Sequence, residues 1–168
     1  MNISNLPEVA SKSYDKAFLV SYLEILSMLE RLHRLMLDII NDEFKRGQIL
    51  EINSVQGLLI FNIGDDEVAA GELKSRGYYQ GSNVSYNLKK LVELDYVHYQ
   101  RCDTDRRSFR VRLTEKGQHV RDTIQNLMKD HAKYLEKNGV LGMGDMHQTN
   151  GVLKRVERHW IDQIRFVY

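Results

Sequence analysis

Residues 82–117 read SNVSYNLKKLVELDYVHYQRCDTDRRSFRVRLTEKG, and the period of the apolar residues changes inside this stretch. Val84, Leu88 and Leu91 recur at helical spacing, which predicts a helix from about Ser82 to Leu94 with one buried face. From Tyr96 to Gln100 and again from Phe109 to Leu113 the pattern alternates and is rich in aromatic and β-branched residues, as strands are. The intervening Arg101 to Ser108 is a polar, charged tip, so the two strands form a hairpin. Thr114 then caps a further helix that opens Thr114-Glu115-Lys116-Gly117. A helix followed by a basic antiparallel hairpin is the pattern that decides the fold.

Just upstream, Ala70 to Arg76 reads as a short helix ending at Gly77, and Tyr78 to Gly81 as a tight connection. Short helix, turn and helix make a helix-turn-helix, with the hairpin as its wing. An α-helix fits the major groove of DNA and reaches base edges with its N-terminal residues. On 82–94 the residues away from the apolar face are Ser82, Asn83, Ser85, Tyr86, Lys89 and Lys90, and these are the candidate DNA contacts. Asn83 and Tyr86 lie early enough to read bases, while Lys89 and Lys90 lie one to two turns later, nearer the phosphates. In the wing tip Arg106 and Arg107 are candidates for the minor groove, where negative potential attracts arginine.

Farther out, apolar residues from Phe18 to Ile40 recur at three- and four-residue steps and predict a helix from about Tyr14 to Arg46, ended by Gly47. Its second apolar face, Leu19, Leu23 and Leu26, calls for a partner chain. Asn53 caps a helix carrying Val55, Leu58, Leu59, Phe61 and Ile63, broken by Gly64-Asp65-Asp66. Beyond the wing, Val120, Ile124, Leu127, Met128 and Leu135 face inward on one helix, and Asn138-Gly139 and Gly142-Met143-Gly144 break it. Asp145 with Gln148 reads as a capping box opening a last helix, whose apolar positions from Val152 to Val167 again exceed one stripe. The division expected is an arm and long dimerisation helix over 1–46, a DNA-binding lobe over 47–113 and dimerisation helices over 114–168.

The net charge is only +1, but it is unevenly spread. Residues 74–112 hold nine basic and four acidic side chains, a surplus of +5, so the remainder carries −4. The molecule is therefore polarised, with a basic middle inside a slightly acidic body. No apolar run approaches the roughly 20 residues that span a bilayer, so no membrane partner is expected. One cysteine, Cys102, excludes an internal disulfide framework and a cysteine-rich zinc site, and the default location is cytoplasmic. No two of the six histidines show metal-ligand spacing, and no nucleophile-base pair, paired carboxylates or phosphate-binding glycine loop is legible. Neither an enzyme nor a cofactor or metal is expected.

The run 91–97, the tip Asp105-Arg106-Arg107-Ser108 and the run 111–117 resemble the multiple-antibiotic-resistance-regulator (MarR) family of winged helix-turn-helix transcription regulators. The resemblance extends over nearly the whole chain, and within the family is nearest to the LdtR-type regulators of alphaproteobacteria, tied to cell-wall cross-linking and osmotic stress. It implies a mainly α fold with a small two- or three-stranded antiparallel wing, and a homodimer held by the first and last helices on a pseudo-palindromic double-stranded DNA operator. It also implies control by small ligands, oxidation or metal, with a small-molecule effector favoured. The pattern favours Arg107 in the minor groove with Asp105 positioning it, with Arg106 nearly as strong a candidate. The family's short Val-Ser or Ile-Ser lead into the recognition helix is here Gly77-Tyr78-Tyr79-Gln80-Gly81.

The implied effector location is the junction of the dimer base and the winged lobe. His33, Leu37, Phe61 and Tyr78 lie on segments expected to meet there, and offer an apolar wall with few polar groups. The same four residues also suit plain hinge packing. The rival reading of the whole chain is a winged-helix protein-interaction module, which has no need of Arg106-Arg107 or Lys89-Lys90.

Overall fold

The structure is a computed structural model and describes residues 15–69, 72–73, 81–101 and 109–166. Helix α1 spans Lys16–Arg46, and its N-cap Asp15 accepts the amide of Ala17 at 2.9 Å. Only Ile40 and Phe44 of its 31 residues are buried. Helix α2, Ser54–Ile63, is the centre of the lobe: Asn53 and Gln56 form a capping box, and Leu59, Ile60 and Ile63 are buried. Gly57 lets the Phe44 ring and Ile124 close on this helix, since a β-carbon there would stand 2.5 Å from the ring.

Strand β1, Val68–Ala69, follows, and Glu72 and Leu73 are helical, with Leu73 fully buried. The rest of the expected helix Ala70–Arg76 lies outside the described residues. Helix α3 spans Gly81–Glu93, strand β2 Val97–Arg101 and strand β3 Phe109–Leu113. The wing is three-stranded in the order β1-β3-β2, antiparallel throughout, with Val68 opposite Val111 and Val97 opposite Leu113. Alternation along β3 turns Val111 and Leu113 into the core and Arg110 and Arg112 outward.

Helix α4, Glu115–Lys137, is capped by Thr114, and its first half buries Gly117, Val120, Ile124 and Leu127 against α2. Gly139, at φ 64°, follows the C-cap Asn138. Helix α5, Met143–Phe166, corrects one expectation. It starts two residues before Asp145, and the Asp145 carboxylate reaches back to the amide of Gly142 at 2.8 Å instead of capping toward Gln148. Gly142 and Gly144, read from sequence as breakers, thus stand at the start of the helix. None of its residues is buried. The Trp160 indole donates a hydrogen bond to the Tyr22 hydroxyl of α1 at 3.2 Å.

Candidate nucleic-acid interface

Helix α3 is held by one face and one end. Val84, Leu88 and Leu91 anchor it in the core. At about 100° per residue the opposite direction falls on Tyr86, flanked by Lys89, Lys90 and Glu93, with Asn83 at the margin. Tyr86 is 63% exposed, and Asn83, Ser85, Lys89 and Lys90 are exposed as well. The backbone of Ser82 lies in the first turn. Asn83, Ser85, Tyr86, Lys89 and Lys90 therefore occupy the solvent side of one helix, and the carbonyl of Asn83 accepts from the Asn87 amide at 2.9 Å.

Glu93 was not anticipated as part of this surface. Its carboxylate lies 3.2 Å from the Lys90 ammonium and 4.0 Å from that of Lys89, so one acid faces both lysines. The signal was readable, because residues three and four apart on a helix are neighbours.

The C-terminal end of α3 closes in a Schellman motif. Asp95 takes the left-handed conformation at φ 60°, its amide bonds to the carbonyl of Val92, and the amide of Tyr96 to that of Leu91. The Thr114-Glu115-Lys116-Gly117 run packs against this turn. The Thr114 hydroxyl donates to the Asp95 carbonyl at 2.7 Å and accepts the Gly117 amide at 3.1 Å. The Lys116 ammonium donates to the Leu94 carbonyl at 3.0 Å and to Glu51 at 2.5 Å, and stands 4.2 Å from the centre of the Tyr96 ring. The Tyr96 hydroxyl donates to the same Glu51 oxygen at 3.1 Å. These bonds hold Glu51 below the usual carboxylate range, through Lys116 first and Tyr96 second. The hydrogen bond to Glu51 raises Lys116, and burial raises Tyr96. The cluster borders an open cleft of about 290 Å³, with Ile49, Leu50 and Val120 as apolar wall. Sequence reasoning missed it, because Glu51 and Lys116 are 65 residues apart and carry no local pattern.

On the wing, His98 pairs with Arg112 and Gln100 with Arg110, which puts these four on its exposed face. Arg110 is also 3.4 Å from Glu67, just before β1. The tip candidates Asp105, Arg106 and Arg107 lie outside the described residues, as do Cys102 and Tyr78. Of the other effector candidates, His33 is exposed on α1, Leu37 is half-buried one turn later, and Phe61 is half-buried against the core. Among the described residues no group of three or more His, Cys, Asp or Glu side chains could hold a metal ion, and no helix is long and apolar enough to cross a membrane.

The comparisons with known proteins agree with this geometry. The family model described as a winged helix DNA-binding domain matches residues 52–117. Over 148 residues the chain is 31% identical to the exopolysaccharide II synthesis transcriptional activator ExpG of Rhizobium meliloti (strain 1021), covering 88% of this chain and 76% of that protein. The fold matches a MarR transcriptional regulator from Methanosarcina mazei Go1 with a TM-score of 0.66 at 23% identity, over 81% of this chain and 96% of that one. It matches Streptococcus pneumoniae FabT in complex with DNA with a TM-score of 0.67 at 18% identity, over 84% and 98%.

Proposed function

The chain belongs to the MarR family of winged-helix transcriptional regulators, a DNA-binding family, and from that premise we propose that it acts as a homodimer on a pseudo-palindromic operator. The observation that carries this reading is the free outer side of α3, with Asn83, Tyr86, Lys89 and Lys90 exposed, in the same lobe as a wing whose outer face carries Arg110 and Arg112. Asn83 and Tyr86 read base edges, and the lysines supply phosphate affinity. Arg107, or Arg106 one place earlier, enters the minor groove from the wing tip, positioned by Asp105. The lobe over 47–113 is the reading unit, and the helices on either side bring two such lobes together, about one helical turn of DNA apart.

The relative from Rhizobium meliloti activates exopolysaccharide synthesis, and the resemblance noted from sequence points to cell-wall and stress genes. Genes of the cell envelope are the common denominator, with the regulator working in the cytoplasm. A small apolar, aromatic or acidic effector binds between dimer base and lobe, walled by His33, Leu37, Phe61 and Tyr78. It acts by preferring a lobe spacing that does not fit the operator, and so lowers DNA affinity by its differential affinity for the two states.

The test is a mobility shift on the region upstream of the protein's own gene, with competitor DNA at physiological salt. Retained, sequence-selective binding that Tyr86→Ala alters and Arg107→Ala weakens by about 1–3 kcal/mol is the expected result. Absence of selective binding would turn the reading toward a protein-interaction module.

A further inference from the structure

We propose that Lys116 is a positioning residue for DNA recognition, setting the tilt of α3 by holding its C-terminal end to the α1–α2 junction. The inference rests on the DNA-binding reading above and names a residue outside the proposed contact surface. The ammonium has three N–H donors and sits where three segments meet. One donor goes to the Leu94 carbonyl, directly after the last residue of α3, and another to Glu51, in the segment between α1 and α2. Lys116 itself belongs to the first turn of α4. The Tyr96 ring lies beneath the ammonium, and its hydroxyl shares the Glu51 oxygen, so the tie is braced from a third side. A cation at a helix C-terminus is favoured by the dipole and by the unpaired last carbonyls.

The lever arm makes this end matter. Helix α3 has 13 residues, so it is about 20 Å long, and a tilt of about 5° about its C-terminus moves its N-terminus by about 1.7 Å. Direct reading of base edges tolerates about 0.5 Å. The long, exposed side chains of Lys89 and Lys90 can follow such a movement and keep their phosphates. The buried face formed by Val84, Leu88 and Leu91 fixes the depth of the helix, and the bond at Leu94 fixes where its C-terminal end stands. Loss of the Lys116 tie therefore costs discrimination between sequences and leaves general DNA affinity in place. A residue serving only global stability would lower both together.

The experiment compares the full-length protein with Lys116→Met, Lys116→Arg and Glu51→Gln, after the preferred site of the wild type has been obtained by selection from random DNA. Lys116→Met should weaken binding to that site about tenfold, while binding to random-sequence DNA and its salt slope stay unchanged. Lys116→Arg, which can reach both acceptors, should restore discrimination, and Glu51→Gln should lose part of it. Amide exchange of the DNA-free protein gives an independent readout: the amides of Leu94, Asp95 and Tyr96 should exchange faster in Lys116→Met, with those of α2 unaffected. Equal losses on selected and random DNA, or faster exchange with discrimination intact, would overturn the proposal. A wild type that binds no DNA selectively would instead overturn the functional reading, and slow exchange at 94–96 in Lys116→Met would then still count against the tie.

Discussion

Gly117 and Tyr96 approach so closely that a β-carbon at 117 would overlap the Tyr96 carbonyl oxygen, which already accepts the Thr114 amide at 3.1 Å. The start of the wing and the first turn of α4 are thereby locked backbone to backbone. Gly117→Ala gains about 1 kcal/mol of helix propensity. Against that, an obstruction by backbone cannot rotate away, and overpacking typically costs 1–3 kcal/mol or more. A net destabilisation of about 2 kcal/mol is expected, read as a fall in Tm of about 4–8 °C. An unchanged or raised Tm would show that the turn relaxes freely.

Asp95 is the opposite case, a side chain where glycine would serve. At φ 60° it occupies the left-handed position that ends α3. Asp95→Gly relieves this conformation and should raise stability by about 0.5–1 kcal/mol, measured by urea unfolding. The Asp95 carbonyl remains available to the Thr114 hydroxyl, so the bond at 2.7 Å is retained.

Glu93 opposes the lysines that DNA phosphates would otherwise engage. Exposed pairs are weak, generally below about 1 kcal/mol, so the effect is modest. Glu93→Gln should tighten binding to random-sequence DNA about threefold and steepen the salt slope by about 1. Unaltered binding would mean that Lys89 and Lys90 do not reach phosphates.

The local part of this architecture was readable before any coordinates. Apolar spacing marked every long helix, Asn53 and Thr114 marked two starts, and the change of period marked the wing. What escaped notice was non-local or too short. Strand β1 has two residues, and its partner β3 lies some forty positions away. The Glu51–Lys116 tie needs the fold before its members meet. Gly142 looked like a breaker because the helix begins on its own N3 carboxylate, Asp145, without a polar cap residue. In the recognition surface the exposed side of α3 was legible because helix period alone decides it, whereas Glu93 carries the charge opposite to that expected of a DNA-facing residue.

Acid sensitivity follows from the same tie. The folded state lowers the pKa of Glu51, so its contribution to stability is present above the ordinary carboxylate range and is lost as pH falls through the lowered value. The folded state raises Lys116 and Tyr96, so their contributions are present below their ordinary values and are lost on the alkaline side. The stability difference between wild type and Glu51→Gln should be flat from about pH 6 to 9 and shrink below about pH 4. A difference that grows on acidification would contradict the assignment.

The strongest expectation concerns the second copy. Helix α5 has 24 residues and buries none of them, and α1 buries two of 31. Amphipathic helices draw most of their stability from packing an apolar face, and neither finds enough cover within one chain. Leu23, Leu29, Leu32 and Leu35 on α1, and Ile164 and Phe166 on α5, are all at least 36% exposed. Burying a large apolar side chain contributes about 1.5–3 kcal/mol, so pairing two such surfaces favours a tight dimer. Sedimentation at micromolar concentration should give about twice the chain mass of 19.7 kDa. Trp160, the single tryptophan, is 44% exposed in the isolated chain and bonded to Tyr22, which makes it an internal reporter. Its emission should shift to the red on dilution as the dimer dissociates. Leu32→Glu should move that transition to higher protein concentration while leaving the lobe folded, because Leu32 is exposed in the isolated chain and is not one of the buried core residues. A wild type that sediments as a folded monomer at micromolar concentration would refute the dimer, and with it the reading of a two-fold operator.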